Sequence, residues 1–319
     1  MDPLKPLVVV SKCLTFDHCR YNGHMISDPF IEKMKPFVDF VPVCPEMAIH
    51  LGVPRNPIRL IFENEQFQLV QPATGKTLTT EMKTFLERWL TRLDGVDGFL
   101  LKSRSPSCGI KDVKVYPSME SKSALKKAKG YFGMQIDQFY PYLIMEDEGR
   151  LSNAHIREHF LARLYLQAGF RKLKKNYSVA HLIDFHTRNK YLFMAYHQSG
   201  LKKMGVLVAN AKRLNEKQVL EDYQTLIQTM FSKLPRTGSM INALLHCFGY
   251  VSDKLNTDER SYFLDLIQQY KEKHVPLSVL LSLMKSWIVR FKEPYLAQQT
   301  LFSPYPMQLL DLSDSGKNE

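Results

Sequence analysis

Three cysteines stand at, or a few residues beyond, the downstream ends of short apolar runs in the first half of the chain. Residues 7–10 lead to Cys13, residues 40–43 lead to Cys44, and residues 98–101 lead to Cys108. If these runs are neighbouring parallel strands, their carboxyl ends lie along one edge of a sheet, where open α/β folds bind ligands. Three thiolates at that edge could hold a soft metal or an iron-sulfur cluster and leave one coordination position open for chemistry.

The residues around these cysteines favour a functional site over a core position. Pro45 and Glu46 follow Cys44, so a rigid bend brings a carboxyl close to the thiol. Cys108 ends a stretch, residues 102–108, that is dense in hydroxyls and cations, and such side chains can stabilise thiolates and an anionic substrate. The alternative is that each cysteine is a small buried hydrophobe, which is the commoner role of a lone cysteine.

Two further cysteines require separate interpretations. Cys19 lies six residues after Cys13 and is an alternative ligand. Cys247 lies among Leu244, Leu245 and Phe248, and we expect it in the core. Five cysteines are too few and too scattered for a disulfide scaffold, which indicates reduced thiols.

Short apolar runs alternate with helical patterns before residue 120, which is the signature of an α/β domain with a mainly parallel sheet. The runs at residues 58–62 and 67–70 are close enough to form a hairpin. Thr79 and Thr80 are candidate caps of a helix whose apolar residues recur at spacings of three and four.

After about residue 150 the pattern becomes helical, and strand-like runs are scarce. The predicted helices have apolar stripes within residues 156–166, 219–231, 264–270 and 279–291. We therefore predict an α/β domain at residues 1–150, a connecting helix and linker at 151–176, and an all-α domain at 177–319.

Charge is distributed unevenly between the two halves. The chain has 43 basic and 32 acidic side chains, a net charge of +11, and residues 151–319 carry +9 of it. A basic module beside a near-neutral one is typical of polyanion binding, although a solvated basic surface that aids solubility is the alternative. The candidate RNA-binding residues are Arg171, Lys172, Lys174, Lys175, Arg188, Lys190, Lys202 and Lys203, with Tyr191 or Tyr196 as possible stacking surfaces.

The apolar runs are all much shorter than the roughly 18 residues of a membrane span. We therefore expect a cytoplasmic protein without a membrane partner, in a compartment where thiols remain reduced. The sequence does not fix the oligomeric state.

Several segments together resemble the thiouracil desulfidase family. They are residues 10–14 (VSKCL), 19–23 (CRYNG), 43–46 (VCPE), 51–55 (LGVPR) and 101–109 (LKSRSPSCG). The second half is similar to the YbgA-like helical domain at residues 184–192 (DFHTRNKYL), 245–250 (LHCFGY) and 298–306 (QQTLFSPYP). The two-domain combination resembles desulfidases that act on 4-thiouridine in tRNA. The sequence differs from the family pattern at residues 15–18, where a glycine-containing stretch is usual, and at His50, where glycine is common.

The resemblance implies a 4Fe-4S cluster held by three cysteines, which are Cys13, Cys44 and Cys108 in this sequence, with one open iron for the thiocarbonyl sulfur. It implies catalytic roles for Glu46 and Ser105. We interpret Glu46 as the group that moves the proton of the attacking water, and Ser105 as a group that orients the substrate. Candidate substrate-binding residues are Arg20, Tyr21, Asn22, Arg55 and Lys102, of which the three cations could instead balance the charge of the cluster.

Three hypotheses follow from these observations. The first is a non-redox desulfidase that converts 4-thiouridine in tRNA into uridine and releases hydrosulfide. The second is a desulfidase of free thiouracil or another small thio-compound, in which the helical domain serves assembly or regulation. The third is a non-catalytic RNA-binding protein whose cluster reports redox or sulfur status.

Overall fold

The computed structural model describes residues 4–311 and residue 313, and its chain forms two compact units. The first unit comprises the described residues up to 168 and from 308 onward, and the second comprises residues 169–307. The strands are β1 (Leu7–Ser11), β2 (Asp39–Val43), β3 (Arg59–Glu63), β4 (Gln66–Gln71), β5 (Lys76–Thr77), β6 (Gly98–Leu101), β7 (Val113–Tyr116), β8 (Lys126–Ala128) and β9 (Ile144–Asp147). The helices are α1 (Pro29–Met34), α2 (Pro45–Ala48), α3 (Thr79–Leu90), α4 (Tyr131–Phe139), α5 (Ala154–Lys175), α6 (Val179–Tyr196), α7 (Gln198–Asn210), α8 (Glu216–Met230), α9 (Thr237–Phe248), α10 (Thr257–Lys271), α11 (Leu277–Arg290) and α12 (Pro294–Ala297).

A four-stranded parallel sheet with the order β2-β1-β6-β9 forms the centre of the first unit. Its central strands are continuous apolar runs because parallel strands are covered on both faces, and Val8, Val9 and Val10 have no exposed surface. Gly98 begins β6 where a side chain would press within 3.0–3.1 Å of Ile144 and Leu164. The predicted α/β fold with a mainly parallel sheet is confirmed.

The second sheet of this unit has the order β5-β4-β3-β7-β8. Strands β3 and β4 form the predicted hairpin, and Asn64 and Glu65 at its turn have φ angles of 49° and 61°. Left-handed φ at both central residues is the geometry of a two-residue turn that matches the twist of the strands. Strand β7 pairs parallel with β3 and antiparallel with β8, so β7 and β8 form a ribbon at one side of the sheet.

Helix α3 packs Met82, Leu86 and Leu90 into the core of the first unit, as their spacing of four residues predicts. The predicted threonine cap is wrong. The helix begins after Leu78 without a side-chain cap, and the Thr79 hydroxyl instead accepts a hydrogen bond of 2.9 Å from the Leu69 backbone N–H.

The second unit is helical, as predicted, and α8 and α11 bury the expected apolar stripes. In α10 the predicted face is partly wrong. Ile267 is buried, but Leu264 is half exposed, and Phe263 and Leu266 take the inward positions. Side-chain caps mark several helix starts in this unit, among them Ser178 at α6 and the capping box of Asn256 with Glu259 at α10.

Within residues 4–311 and residue 313, none of the helices is long and apolar enough to cross a membrane.

Candidate functional site

The three strands that lead to the predicted ligands are neighbours in the parallel sheet. Strand β1 pairs in parallel with β2 on one side and with β6 on the other, so the carboxyl ends of all three lie at one edge. Cys44 follows β2 directly, Cys13 follows β1 by two residues, and Cys108 lies in the loop after β6. The strand ends that precede the three cysteines therefore meet at one edge of the sheet, as the sequence predicts.

A fourth thiol joins this edge. Cys19 is buried, and its thiol is hydrogen-bonded to the thiols of Cys13 and Cys44. The Cys44 thiol also lies 4.0 Å from the carbonyl oxygen of Cys19. Cys108 is buried beside Cys44 and hydrogen-bonded to Ser11 at the end of β1. Cys247 lies far along the chain in α9 with no exposed surface, as predicted for a core cysteine.

The pKa values of three of these thiols, Cys19, Cys44 and Cys108, are raised. A hydrogen bond with Cys13 and burial raise the pKa of Cys19 to about 11. Burial raises the pKa of Cys108 to about 12, and a hydrogen bond with Cys19 together with burial raises the pKa of Cys44 well above its ordinary value. Buried thiols of this kind ionise when a metal takes the place of the proton, so loading would release protons.

The donor chemistry of this edge fits an iron-sulfur cluster, because soft sulfur donors surround it and the strand ends bring them from distant parts of the sequence. Within the described residues, no three His, Cys, Asp or Glu side chains are arranged to hold a single metal ion. A cluster spreads its iron atoms over a larger volume than one ion. Ligation by Cys13, Cys44 and Cys108 stays a prediction.

A chain of hydroxyls connects the last cysteine to Glu46. The Ser107 hydroxyl donates a hydrogen bond of 2.6 Å to Glu46 Oε1, and the oxygens of Ser107 and Ser105 are 3.0 Å apart. Because Ser107 donates to the carboxylate, Ser105 is the donor to Ser107. Ser105 in turn accepts from the Cys108 N–H at 3.1 Å. Ser107 thus connects Ser105 to Glu46, and this intervening serine has no exposed surface.

The other oxygen of Glu46 is paired with Arg55. Arg55 Nε donates at 2.9 Å and Nη2 lies 2.7 Å from Glu46 Oε2, and the Arg55 side chain is only 4% exposed. The same guanidinium donates to the carbonyl oxygens of Gly52 at 2.9 Å and Cys19 at 3.0 Å. Arg55, a predicted substrate-binding residue, therefore fixes the orientation of Glu46 and links it to the segment that contains Cys19.

Lys102 is paired with Glu148, a residue that the sequence analysis did not identify. The Glu148 carboxylate binds the Lys102 ammonium and accepts hydrogen bonds from the Ser103 backbone N–H at 2.8 Å and the Ser103 hydroxyl at 2.7 Å. The Lys102 N–H also donates to the Ser11 hydroxyl at 2.8 Å. Glu148 thus anchors the start of the loop that carries Cys108.

The end of that loop packs against the start of α4. Gly130 N–H donates to the Gly109 carbonyl at 2.7 Å, and Phe132 N–H donates to the Ser107 carbonyl at 2.8 Å. A Cβ atom on Gly130 would lie 2.5 Å from the Ser107 carbonyl oxygen and 2.7 Å from that of Ser105. Only glycine fits this close approach of two backbones.

The predicted substrate residues near Cys19 lie on a more open turn. The Arg20 guanidinium is 5.9 Å from the centre of the Tyr21 ring, and Tyr21 is 44% exposed. Asn22 is exposed, and its side chain contacts His24. The Tyr21 carbonyl accepts from the Arg55 backbone N–H at 2.8 Å, so this turn is tied to the Arg55 segment.

The eight predicted RNA-binding residues all belong to the second unit. They lie at the end of α5 (Arg171, Lys172, Lys174, Lys175), on α6 (Arg188, Lys190) and on α7 (Lys202, Lys203). Arg188 forms an ion pair with Asp184 one turn away, and Lys174 donates to the Gln224 side chain at 3.3 Å. The tyrosines proposed as stacking surfaces are wrong for that role, because Tyr191 and Tyr196 are buried in the helical core.

Sequence reasoning missed Ser107 and Glu148 for different reasons. Ser107 lies within the 102–109 segment, and its position next to Cys108 was the available signal. Glu148 lies directly after β9, a short strand absent from the prediction, and its role depends on the parallel pairing of β6 with β9. No pattern near residue 148 indicates that pairing.

Residues 8–148 match the model of the family described as 2-thiouracil desulfurase, and residues 190–306 match the model of a protein family of unknown function, DUF1722. The uncharacterized protein YbgA of Escherichia coli (strain K12) is 27% identical over 139 residues, which are 42% of this chain and 80% of that protein. The uncharacterized protein YbbK of Bacillus subtilis (strain 168) is 28% identical over 110 residues, which are 32% of this chain and 73% of that protein.

The solved structure of a 4Fe-4S-dependent thiouracil desulfidase, TudS, is similar to 46% of this chain and 93% of its own, at 24% identity and a TM-score of 0.37.

Proposed function

We propose that this chain, a desulfidase in which a 2-thiouracil desulfurase domain is followed by a YbgA-like DUF1722 domain, removes the sulfur of 4-thiouridine in tRNA and releases uridine and hydrosulfide. The observation that carries the proposal is the carboxylate of Glu46, held by Ser107 and Arg55 beside converging cysteines. A fixed carboxylate next to soft sulfur donors suits the addition of water to a thiocarbonyl carbon.

The cofactor in this proposal is a 4Fe-4S cluster held by Cys13, Cys44 and Cys108. When bound, it supplies an open iron that acts as a soft Lewis acid toward the thiocarbonyl sulfur. No electron leaves or enters the substrate overall. Water and the thiocarbonyl become a carbonyl and hydrogen sulfide, which is released as hydrosulfide with one proton.

Glu46 accepts the proton of the attacking water in this scheme. Oε2 of its carboxylate is held by both Nε and Nη2 of Arg55, whereas Oε1 accepts one hydrogen bond, from Ser107, and keeps a lone pair for water. Ser107 and Arg55 fix the direction of the carboxylate, so little reorganisation is needed when water attacks. Ser105 is connected to Glu46 through Ser107, which supports the role of orienting the substrate that we assign to it.

The preference for tRNA rests on the charge of the second half of the chain. Residues 151–319 carry 23 basic and 14 acidic side chains, whereas a free thiobase needs no large basic surface. A tRNA must be held by its phosphates while one base leaves the stack and enters the site. We expect the eight cations named above to contribute to that grip, and binding to weaken steeply as salt rises.

Free thiouracil is the second candidate substrate, and the description of the matching family favours it. In that case the DUF1722 domain has another role. The compartment that we propose is the cytoplasm, because all five cysteines are free and a reducing environment keeps them available for iron.

The two candidates are separated by one anaerobic experiment. Reconstituted protein is incubated with thiolated tRNA, with free 4-thiouracil and with free 2-thiouracil, while thione absorbance and released sulfide are followed. We expect sulfide from tRNA. Sulfide from the free bases alone would select the second candidate, and tRNA binding without sulfide from any substrate would select the non-catalytic sensor.

A further inference from the structure

The first unit contains a lysine-rich ribbon, although the summed charge of residues 1–150 is close to zero. Residues 1–150 are close to neutral, with 20 basic and 18 acidic side chains, but residues 111–129 hold six lysines and only two acidic residues. This segment forms β7 and β8 with the connection between them. The name lysine ribbon is used below for residues 111–129, whose lysines are Lys111, Lys114, Lys122, Lys126, Lys127 and Lys129.

Two like charges face each other across the ribbon. In the antiparallel pairing of β7 with β8, Lys114 is directly opposite Lys127. Val113 and Val115 are buried, so Lys114 between them is on the solvent side, where it is exposed. Like charges at directly opposed positions destabilise a sheet, and a bound anion between them would remove that penalty.

Among the described residues, four of the six lysines lack a carboxylate partner, and one of these four, Lys126, lies over aromatic rings instead. Across residues 4–311 and residue 313, ion pairs form between Lys127 and Asp112 and between Lys129 and Asp137, whereas no carboxylate lies within ion-pair distance of Lys111, Lys114 or Lys122. Lysines on an edge strand can also serve to prevent aggregation of sheet edges. That role accounts for lysines on β8 but not for Lys111, Lys114 and Lys122, which lie outside that strand.

The ribbon is rigid at its tip. The Arg59 guanidinium lies 4.6 Å from the centre of the Tyr116 ring and donates to the carbonyl oxygens of Met119 at 3.4 Å and Ser121 at 3.0 Å. Lys126 lies over the Phe62 ring, with its ammonium 3.5 Å from the ring centre. The Arg59 hydrogen bonds thus link the connection between β7 and β8 to β3, and the Lys126 contact links β8 to β3.

Both ends of the ribbon are attached to the loop that carries Cys108. The ribbon begins three residues after Cys108, and at its other end Gly130 donates to the Gly109 carbonyl at 2.7 Å. The next residue, Tyr131, donates to the Pro106 carbonyl at 2.9 Å. A polyanion bound along the ribbon is therefore held next to the candidate site, on the same unit.

We infer that the lysine ribbon binds the phosphate backbone of the RNA substrate and positions the thiolated nucleotide at the candidate site, an inference that rests on the proposed function. Several ammonium groups without carboxylate partners on one ribbon suit a chain of phosphates, which needs point charges and no fixed base sequence. In this proposal the catalytic domain binds RNA directly, and the cations of the second unit contribute further contacts.

The test compares Lys114→Ala/Lys122→Ala with the control Lys76→Ala/Lys83→Ala, which removes two exposed lysines of the same unit outside the ribbon. We expect the ribbon variant to lose roughly 10-fold in kcat/KM on thiolated tRNA and to keep its kcat/KM on free 4-thiouracil. The slope of log Kd against log salt for unmodified tRNA should become shallower by about 1 for each lysine that contacts a phosphate.

Equal tRNA binding and equal tRNA turnover by the ribbon and control variants would overturn the ribbon proposal while leaving the proposed function intact. A wild-type protein that desulfurates free 4-thiouracil but not tRNA would overturn the proposed function itself. Equal losses in both variants would overturn the ribbon proposal too, because they would show a general effect of surface charge.

Discussion

Ser107 donates a hydrogen bond of 2.6 Å to Glu46, a residue 61 positions earlier in the chain, and so joins the loop after β6 to the short helix after β2. Both partners adjoin a predicted cluster ligand, since Cys44 precedes Pro45-Glu46 and Cys108 follows Ser107. The carboxylate that we assign to water activation is therefore oriented by the same loop that supplies a thiol.

Ser107→Ala should lower kcat by roughly 10- to 100-fold, because a hydrogen bond to a charged group contributes about 1.5–3 kcal/mol. The measurement is the initial rate of sulfide release, with the iron content of each preparation determined alongside. Thr74→Ala, which removes a hydroxyl that donates to the Gln71 side chain at 2.8 Å outside the lysine ribbon, is the matched control. A Ser107→Ala enzyme with full iron content and unchanged kcat would contradict the role of this bond.

Glu46→Gln preserves the size of the side chain and removes the proton acceptor. We expect a loss of about 100- to 10,000-fold in turnover, the usual contribution of general acid–base catalysis, while the protein retains iron and acid-labile sulfide. Single-turnover kinetics on an anaerobic sample separate the chemical step from substrate binding. Full turnover by this variant would exclude Glu46 as the base.

We expect stable cluster binding to be abolished by serine at any one of the three predicted ligands, Cys13, Cys44 or Cys108. Iron and acid-labile sulfide per chain, with the visible absorbance of the reconstituted protein, are the readouts. Cys19→Ala and Cys247→Ala are the comparison variants, and both should retain the cluster. A protein that keeps its cluster without Cys13 and loses it without Cys19 would reassign the ligands.

Gly130→Ala should disturb the site without touching a catalytic side chain. The added Cβ meets the carbonyl oxygens of Ser107 and Ser105, so the loop must shift, at a cost of about 1–3 kcal/mol in unfolding free energy. Urea unfolding and iron retention measure the two effects. Gly205→Ala, where a Cβ meets nothing within 4 Å, is the control and should be neutral or stabilising. Equal behaviour of the two variants would contradict the close packing of this loop.

The stability of the helical unit should depend on pH through His186. Burial, with a smaller effect of Lys190, lowers the pKa of this histidine to about 4, and its ring nitrogen contacts the Tyr223 hydroxyl at 3.1 Å. Between pH 6.5, the ordinary pKa of histidine, and about pH 4, the unfolded chain binds a proton at His186 more readily than the folded chain does. Stability is therefore present above pH 6.5 and is lost as pH falls through this window, by about 2 kcal/mol.

Denaturant unfolding at a series of pH values tests this dependence. His186→Gln should flatten the slope between pH 6.5 and 4, whereas Tyr223→Phe should keep it, because the histidine remains buried. An unchanged slope in His186→Gln would show that other groups are responsible.

The local patterns of the sequence predicted the elements that depend on local physics. The apolar run at residues 7–10 is a buried parallel strand, and the closely spaced runs at 58–62 and 67–70 form a hairpin. The preference for glycine in the family pattern also has a structural basis. Thr15 lies in the stretch that usually contains a glycine, and His50 lies at a position where glycine is common. Their φ angles are 70° and 61°, which glycine adopts without strain.

The remaining features depend on long-range pairing that periodicity does not encode. The ion pair of Arg55 with Glu46 and the anchoring of Lys102 by Glu148 require the folded arrangement of several loops. The net charge of the first half does not indicate the lysine ribbon, because acidic residues elsewhere in that half offset the lysines of residues 111–129. Only the pairing of β7 with β8 shows that those lysines share one ribbon.

The most direct test of the central claim, hydrolytic removal of sulfur from a thiolated uridine, is the reaction of the anaerobically reconstituted enzyme with thiolated tRNA in heavy-oxygen water. Nucleosides from the digested tRNA are then analysed by mass spectrometry. We expect uridine that carries the heavy oxygen, with one hydrosulfide released for each 4-thiouridine lost. Loss of 4-thiouridine without labelled uridine, or no loss at all by a cluster-loaded enzyme, would contradict it.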